Sequence, residues 1–136
     1  MSTKIFVNLP VKDLGKSIDF FNELGFSFNP QFTDDNATCM IISDDIYVML
    51  LVEPFFKSFT NKEIVDATKS TEAILALEVG SRQRVDELVD KALATGGRTG
   101  TFSSDDSFMY GRSFQDLDGH LWEVLYMDPA AVQAHA

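Results

Sequence analysis

Tyr110 and Arg112 stand two residues apart in the run Phe108-Met109-Tyr110-Gly111-Arg112-Ser113. In an extended strand that spacing turns both side chains to one face, where a phenol and a guanidinium could clamp an anionic or carbonyl oxygen. A surface ion pair for Arg112 suits an acidic chain equally well. Gly111 between them leaves room for a backbone or a ligand to come close. Other reactive residue types are sparse. His120 sits in a turn beside Asp118, as a capping or exposed side chain, and His135 lies in a tail expected to be disordered. Cys39 belongs to an apolar strand-like run without a nearby cation to activate it, the setting of a buried, inert thiol. No G-x-S-x-G elbow, phosphate-binding glycine loop or zinc C-x-x-C pattern occurs.

The elements that must position these residues are written twice. Lys4-Ile5-Phe6-Val7-Asn8-Leu9-Pro10-Val11 leads into a helical stretch that opens at Asp13 and ends at Leu24-Gly25. Ala73-Ile74-Leu75-Ala76-Leu77-Glu78-Val79 leads into a second, opening at Ser81 and ending at Thr95-Gly96-Gly97. Short strand candidates follow each. A duplicated strand–helix–strands module predicts a pseudo-symmetric body with a ligand cleft between its halves.

Within the first module, alternation puts Phe6, Asn8 and Pro10 on one strand face. Asp13 is the helix cap, and Leu14, Ile18, Phe21 and Leu24 form the apolar side. Phe26 and Phe28 begin the next strand, and residues 37–42 and 46–52 are strands around the turn Ser43-Asp44-Asp45. Residues 53–72 read as a short helix plus linker, in which Phe55, Phe56 and Phe59 could line a cleft, make a subunit contact or fill the gap between modules.

In the second module Ser81 caps a helix whose stripe is Val85, Leu88, Val89 and Ala92. Residues 98–102 are a weak strand and Ser103-Ser104-Asp105-Asp106 a mobile loop. Residues 108–115 and 120–127 pair around the turn Asp116-Leu117-Asp118-Gly119. The chain is thus one domain over 1–136. Its parts are a first module at 1–52, a linker at 53–72, a second module at 73–127 and a tail at 128–136.

The composition, 45% hydrophobic and 24% charged, is that of a globular protein. No apolar run approaches the ~20 residues that span a bilayer, which argues against a membrane partner. The N-terminus lacks the apolar core of a secretory signal, and one cysteine cannot make an internal disulfide, so a cytoplasmic location is expected. The 21 acidic and 11 basic residues give a net charge of −10, and no basic run is present, which argues against nucleic acid.

Asp116-Leu117-Asp118-Gly119-His120-Leu121-Trp122-Glu123 resembles the D-P-D-G-x-x-x-E signature near the end of proteins of the vicinal oxygen chelate superfamily, the glyoxalase I, bleomycin-resistance and extradiol dioxygenase relatives. The opening, from Leu9 to Phe21, is similar to that superfamily's V-x-D-L-x-x-S-x-x-F-Y, and Leu24-Gly25-Phe26 to its L-G-F helix ending. The text most resembles bacterial proteins labelled predicted lactoylglutathione lyase or glyoxalase-like. The resemblance implies an α+β fold of two βαβββ modules, each a cupped four-stranded sheet, paired around a cavity. It also implies a homodimer, and in enzymes a divalent metal acting as a Lewis acid on vicinal oxygens of the substrate.

Carried over one position at a time, the four metal-ligand positions of the superfamily fall on Phe6, Leu50, Ile74 and Glu123. Only Glu123 is a donor. Asn8 lies two residues along from an assigned position and Glu78 four, even shifts that keep the same sheet face, and with Glu123 they could form an oxygen-rich site. The other reading is that the cavity has lost its metal.

Its lining would then include Phe6, Asn8, Leu50, Ile74, Ala76, Glu78, Leu121, Glu123 and Leu125, an apolar hollow with a few polar groups. Glu123 or Glu78 could serve there as a general base, or each could instead be ion-paired or exposed. The expected function is binding of a small organic ligand in this apolar, partly acidic cavity without the standard metal. The alternative is a metal-dependent lactoylglutathione lyase-like enzyme or dioxygenase with relocated ligands.

Overall fold

A computed structural model describes residues 2–130. The chain divides into two compact units, Met1–Val65 and Asp66–Ala136, and each repeats one pattern of strand, helix and further strands. His135 and most of the expected tail lie outside the described residues. At their edge the Asp128 carboxylate accepts from the amide of Ala130 at 3.0 Å, as a helix cap does.

The first unit runs β1 (Ile5–Val11), α1 (Leu14–Glu23), β2 (Ser27–Asn29), a 3-10 turn (Pro30–Phe32), β3 (Ala37–Ser43), β4 (Ile46–Val52) and α2 (Glu53–Lys57). Its sheet has the order β1-β4-β3-β2, with β1 parallel to β4 and the other pairs antiparallel. The parallel pair requires a crossover, which α1, β2 and β3 supply. The Asp13 carboxylate accepts from the Lys16 amide at 3.0 Å and starts α1. The helix turns Leu14, Phe20 and Phe21 inward and packs against β3 and β4. Leu9 pairs with Leu50 and Val7 with Val48 on one side of the sheet, while Phe6 pairs with Tyr47 and Asn8 with Met49 on the other.

The second unit runs β5 (Ile74–Glu78), α3 (Arg82–Ala94), β6 (Arg98–Thr99), β7 (Ser104–Asp105), β8 (Met109–Gln115) and β9 (Leu121–Met127). Its sheet has the order β5-β9-β8-β6, and β7 also pairs with β8. Ser81 caps α3 by accepting from the Arg84 amide at 3.0 Å. Val85, Leu88, Val89 and Ala92 are the buried stripe that the spacing predicts, and α3 packs on β8 and β9. Phe114, Trp122 and Val124 supply fully buried side chains on that side of the sheet, and the Phe114 and Trp122 rings stack with centroids 6.2 Å apart.

Two expectations need correction. The edge strand is extended only at Arg98–Thr99, and the stretch expected as a loop contains β7, where Ser104 and Asp105 pair with Gly111 and Tyr110. Between them the chain bulges at residues 100–103. At Gly100 it lies so close to β8 that an added Cβ would sit 2.3 Å from the Ser113 Oγ. Among the described residues no helix is long and apolar enough to cross a membrane.

Candidate functional site

Glu123 owes its position to the turn before it. The Asp116 carboxylate, 5% exposed, accepts at 3.0 Å from three donors: the amides of Asp118 and His120 through Oδ1, and the Trp122 indole through Oδ2. The Asp116 amide donates in turn to the His120 carbonyl. Burial pushes the Asp116 carboxyl above its ordinary range, against the pull of His120 and these donors. One buried acid therefore closes the β8–β9 connection from inside. The adjoining register sets Ser113 opposite Glu123, Gly111 opposite Leu125 and Gln115 opposite Leu121.

On its other side β9 pairs with β5, with Ala76 opposite Glu123 and Ile74 opposite Leu121. Glu78 pairs with Leu125 on this same face. Glu123 is therefore flanked across three strands by alanine and serine, and along its own strand by two leucines. Its side chain is half-buried, and Glu78 is exposed. Among the described residues neither carboxylate has a hydrogen bond or ion pair.

The structure thus brings Ile74, Glu78, Leu121 and Glu123 to one face of the second sheet, and Phe6 and Asn8 to one face of the first. Phe6 is 48% exposed and stacks on Tyr47 with centroids 4.8 Å apart, and the Asn8 amide donates to the Phe6 carbonyl at 3.1 Å. Leu50 does not join them. It is fully buried on the opposite side of its sheet, because β1 and β4 pair Leu50 with Leu9 and not with an even-numbered residue of β1.

Tyr110 and Arg112 do share a face, but it is the α3 face and not that of Glu123. The Tyr110 hydroxyl donates to Asp86 at 2.6 Å, and Arg112 pairs with Asp86 and Asp90, both at 2.9 Å. Tyr110's hydrogen bond, with help from Arg112, holds the Asp86 carboxyl below its usual range, and the same bond raises the Tyr110 phenol. Burial draws the Arg112 guanidinium down, and the hydrogen bonds to Asp86 and Asp90 more than reverse this. Of the two readings open for this pair, a clamp on a ligand oxygen and an ion pair for Arg112, the structure shows the ion pair, which ties β8 to helix α3. Cys39 is buried, and desolvation pushes its thiol up, away from reactivity.

Two residues of the Glu123 face carried no signal in their neighbourhood. The Ser113 hydroxyl donates to the Phe102 carbonyl at 2.8 Å, and the Phe102 ring lies over Gly111, where an added Cβ would meet its Cε2 at 2.6 Å and the Leu125 Cδ2 at 2.9 Å. The close approach expected at Gly111 is made by this ring.

A divalent centre of the superfamily's kind requires several nitrogen or oxygen donors on one ion. Phe6, Leu50 and Ile74 are hydrocarbon, and among the described residues no three of histidine, cysteine, aspartate and glutamate form a group that could hold an ion. The residues do not fit that centre.

Comparison with known proteins relates the start of the chain to one family model and its fold to several solved structures. The model for the bleomycin resistance protein-like N-terminal region matches residues 3–43, the span from β1 into β3. The chain also shares its fold with solved proteins named for the glyoxalase/bleomycin resistance/dioxygenase family. Among solved structures, it is similar to the hypothetical protein SA1046 from S. aureus, at 31% identity and a TM-score of 0.76 over 93% of this chain and 95% of that one. It also resembles a glyoxalase-related enzyme from Fulvimarina pelagi, at 19% identity and a TM-score of 0.76 over 93% and 88%. The fosfomycin resistance protein FosX from Listeria monocytogenes shares the fold at 17% identity and a TM-score of 0.66 over 96% and 97%. Among curated proteins none matches the sequence significantly.

Proposed function

We propose that this protein binds a small organic molecule on the Glu123 face of its second sheet, without the divalent metal centre associated with its superfamily. The observation that carries the reading is the Glu123 carboxylate itself: half-buried, between Ala76 and Ser113, and without a hydrogen-bond or ion-pair partner among the described residues. Such a group gains most from a ligand that brings its own N–H or O–H donor, and the leucines on either side take the ligand's apolar part. Where the ligand carries an acidic C–H beside a carbonyl, Glu123 is the general base in reach, and the activity is then of the lactoylglutathione lyase type but free of metal.

A thermal-shift screen of metabolites and cationic drugs tests this reading. A ligand at 100 times its Kd adds about 2.7 kcal/mol of stability to the folded state. Glu123→Gln is expected to abolish the response of any hit while leaving the melting temperature of the free protein within about 2 °C of wild type. A hit that shifts the variant as much as the wild type contradicts the assignment.

The reading extends to a cytoplasmic homodimer. Phe59 is 70% exposed and packs edge-on against Phe55 with centroids 5.1 Å apart, an aromatic pair that subunit association would cover. Sedimentation at micromolar concentration is expected to show twice the 15.2 kDa chain mass, and a species of single chain mass alone counts against it.

A further inference from the structure

The face that carries Glu123 is covered in part at one end. Two residues along β9 from Glu123, a distance of roughly 7 Å, stands Leu125, and its cross-strand partner is Gly111. Gly111 contributes no side chain, and the Phe102 ring fills the space that one would take, lying against the Gly111 backbone and Leu125. The segment carrying this ring is fixed on both sides. Before it, Gly100 donates its amide to the Ser113 carbonyl at 3.2 Å, and the Ser113 hydroxyl donates to the Phe102 carbonyl. After it, Ser104 and Asp105 pair with Gly111 and Tyr110, and Arg82 binds the Asp105 carboxylate at 2.9 Å and the Asp106 carbonyl at 2.6 Å. A ring tethered in this way acts as a wall.

We propose that Phe102 is the specificity-determining residue of the Glu123 face, limiting the length of the apolar body of any ligand whose polar end lies on the Glu123 carboxylate. The class of ligand this defines is a compact molecule with a hydrogen-bond-donating head and a short apolar body. The proposal rests on Glu123 being the anchor. The same sheet face would accept a longer body if the ring were absent, because Gly111 and Leu125 continue it beneath the ring.

The test uses primary n-alkylammonium ions from propyl to decyl, titrated calorimetrically against the wild-type protein, Phe102→Ala, Phe102→Leu and Glu123→Gln. In the wild type, affinity is expected to rise about fourfold per methylene while the chain is being buried, then to stop rising at a definite length. Phe102→Ala moves that length upward by roughly two or three methylenes, the space a phenyl ring vacates. Phe102→Leu moves it less, and it carries the same prediction should the alanine variant fail to fold. An unchanged length limit in a folded Phe102 variant overturns the wall, even if Glu123→Gln abolishes binding and so upholds the anchor. A limit that still moves with Phe102 while Glu123→Gln binds as well as wild type upholds the wall and removes the anchor. Failure of the whole series to bind either the wild type or a folded Phe102 variant overturns the proposal outright.

Discussion

Replacing Asp116 with alanine is expected to destabilise the protein by about 3 kcal/mol, a large part of the 5–15 kcal/mol typical of a domain. Two effects compete. The carboxylate is buried, and desolvation, which pushes its carboxyl above the ordinary range, is by itself a cost. Its three donors are buried or part-buried with it, however, and removing the acceptor strands them. The Trp122 indole is the worst placed, because the ring is fully buried and no water can reach its N–H. Each buried donor left without a partner costs about 1–3 kcal/mol, so the loss of three outweighs the desolvation recovered. Asp116→Asn should fall between alanine and wild type. It keeps one acceptor oxygen but sets an amide N–H against a donor. Urea unfolding followed by tryptophan fluorescence gives the result directly. A midpoint unchanged in Asp116→Ala would mean that the turn is held by backbone hydrogen bonds alone.

Gly119→Ala is expected to cost about 2–3 kcal/mol through two separate terms. Gly119 has φ of 88°, a backbone conformation that charges a side-chain-bearing residue about 1–2 kcal/mol. The new Cβ would also lie 2.9 Å from the Thr68 amide nitrogen and 3.0 Å from the Ala67 carbonyl. These are backbone atoms and cannot rotate away. The segment is further stiffened by Asp66, whose carboxylate accepts from the Thr68 amide and hydroxyl at 3.0 and 2.6 Å. Since Gly119 and Asp116 serve one turn, the double variant should lose less than the sum of the two single losses. A melting curve for Gly119→Ala that superimposes on wild type would contradict the close approach to residues 67 and 68.

Both helix caps, the α3 stripe, most of the α1 stripe (Ile18 is only half-buried, and Phe20 is buried in addition) and the turn at Asp116 were legible because their signals are local. A cap lies within three residues of the amide it serves, and a stripe repeats within a few turns. Leu50 shows where locality ends. Its face depends on the register between β1 and β4, which pair across a long crossover, and an offset of one residue sends a side chain to the other side of a sheet. Tyr110 and Arg112 were correctly placed on one face of β8, but which face depends on the pairing of Ser113 with Glu123 across the turn. Counting back from the turn residues would have shown it: odd positions of β8 meet odd positions of β9.

Phe102 and Ser113 had no such signal. Their meeting depends on a bulge that breaks the edge strand after Thr99, and nothing in residues 100–103 announces where the ring will lie. Asp116 was read as a turn residue, which it is. Its bond to Trp122 adds that the first aspartate of the D-x-D-G motif serves the core of the fold, while the glutamate that ends the motif has no hydrogen-bond or ion-pair partner among the described residues.

On the proposed reading a lone acid, without accompanying metal ligands, defines the binding face. Equilibrium dialysis of the protein against nickel, zinc, manganese and ferrous iron in turn, followed by elemental analysis, tests this most directly. With hydrocarbon at Phe6, Leu50 and Ile74, occupancy is expected to stay below about 0.1 ion per chain for each metal, because a single carboxylate supplies only one of the three or four donors such ions require. Close to one ion per chain, retained through gel filtration and lost in Glu123→Gln, would contradict the account.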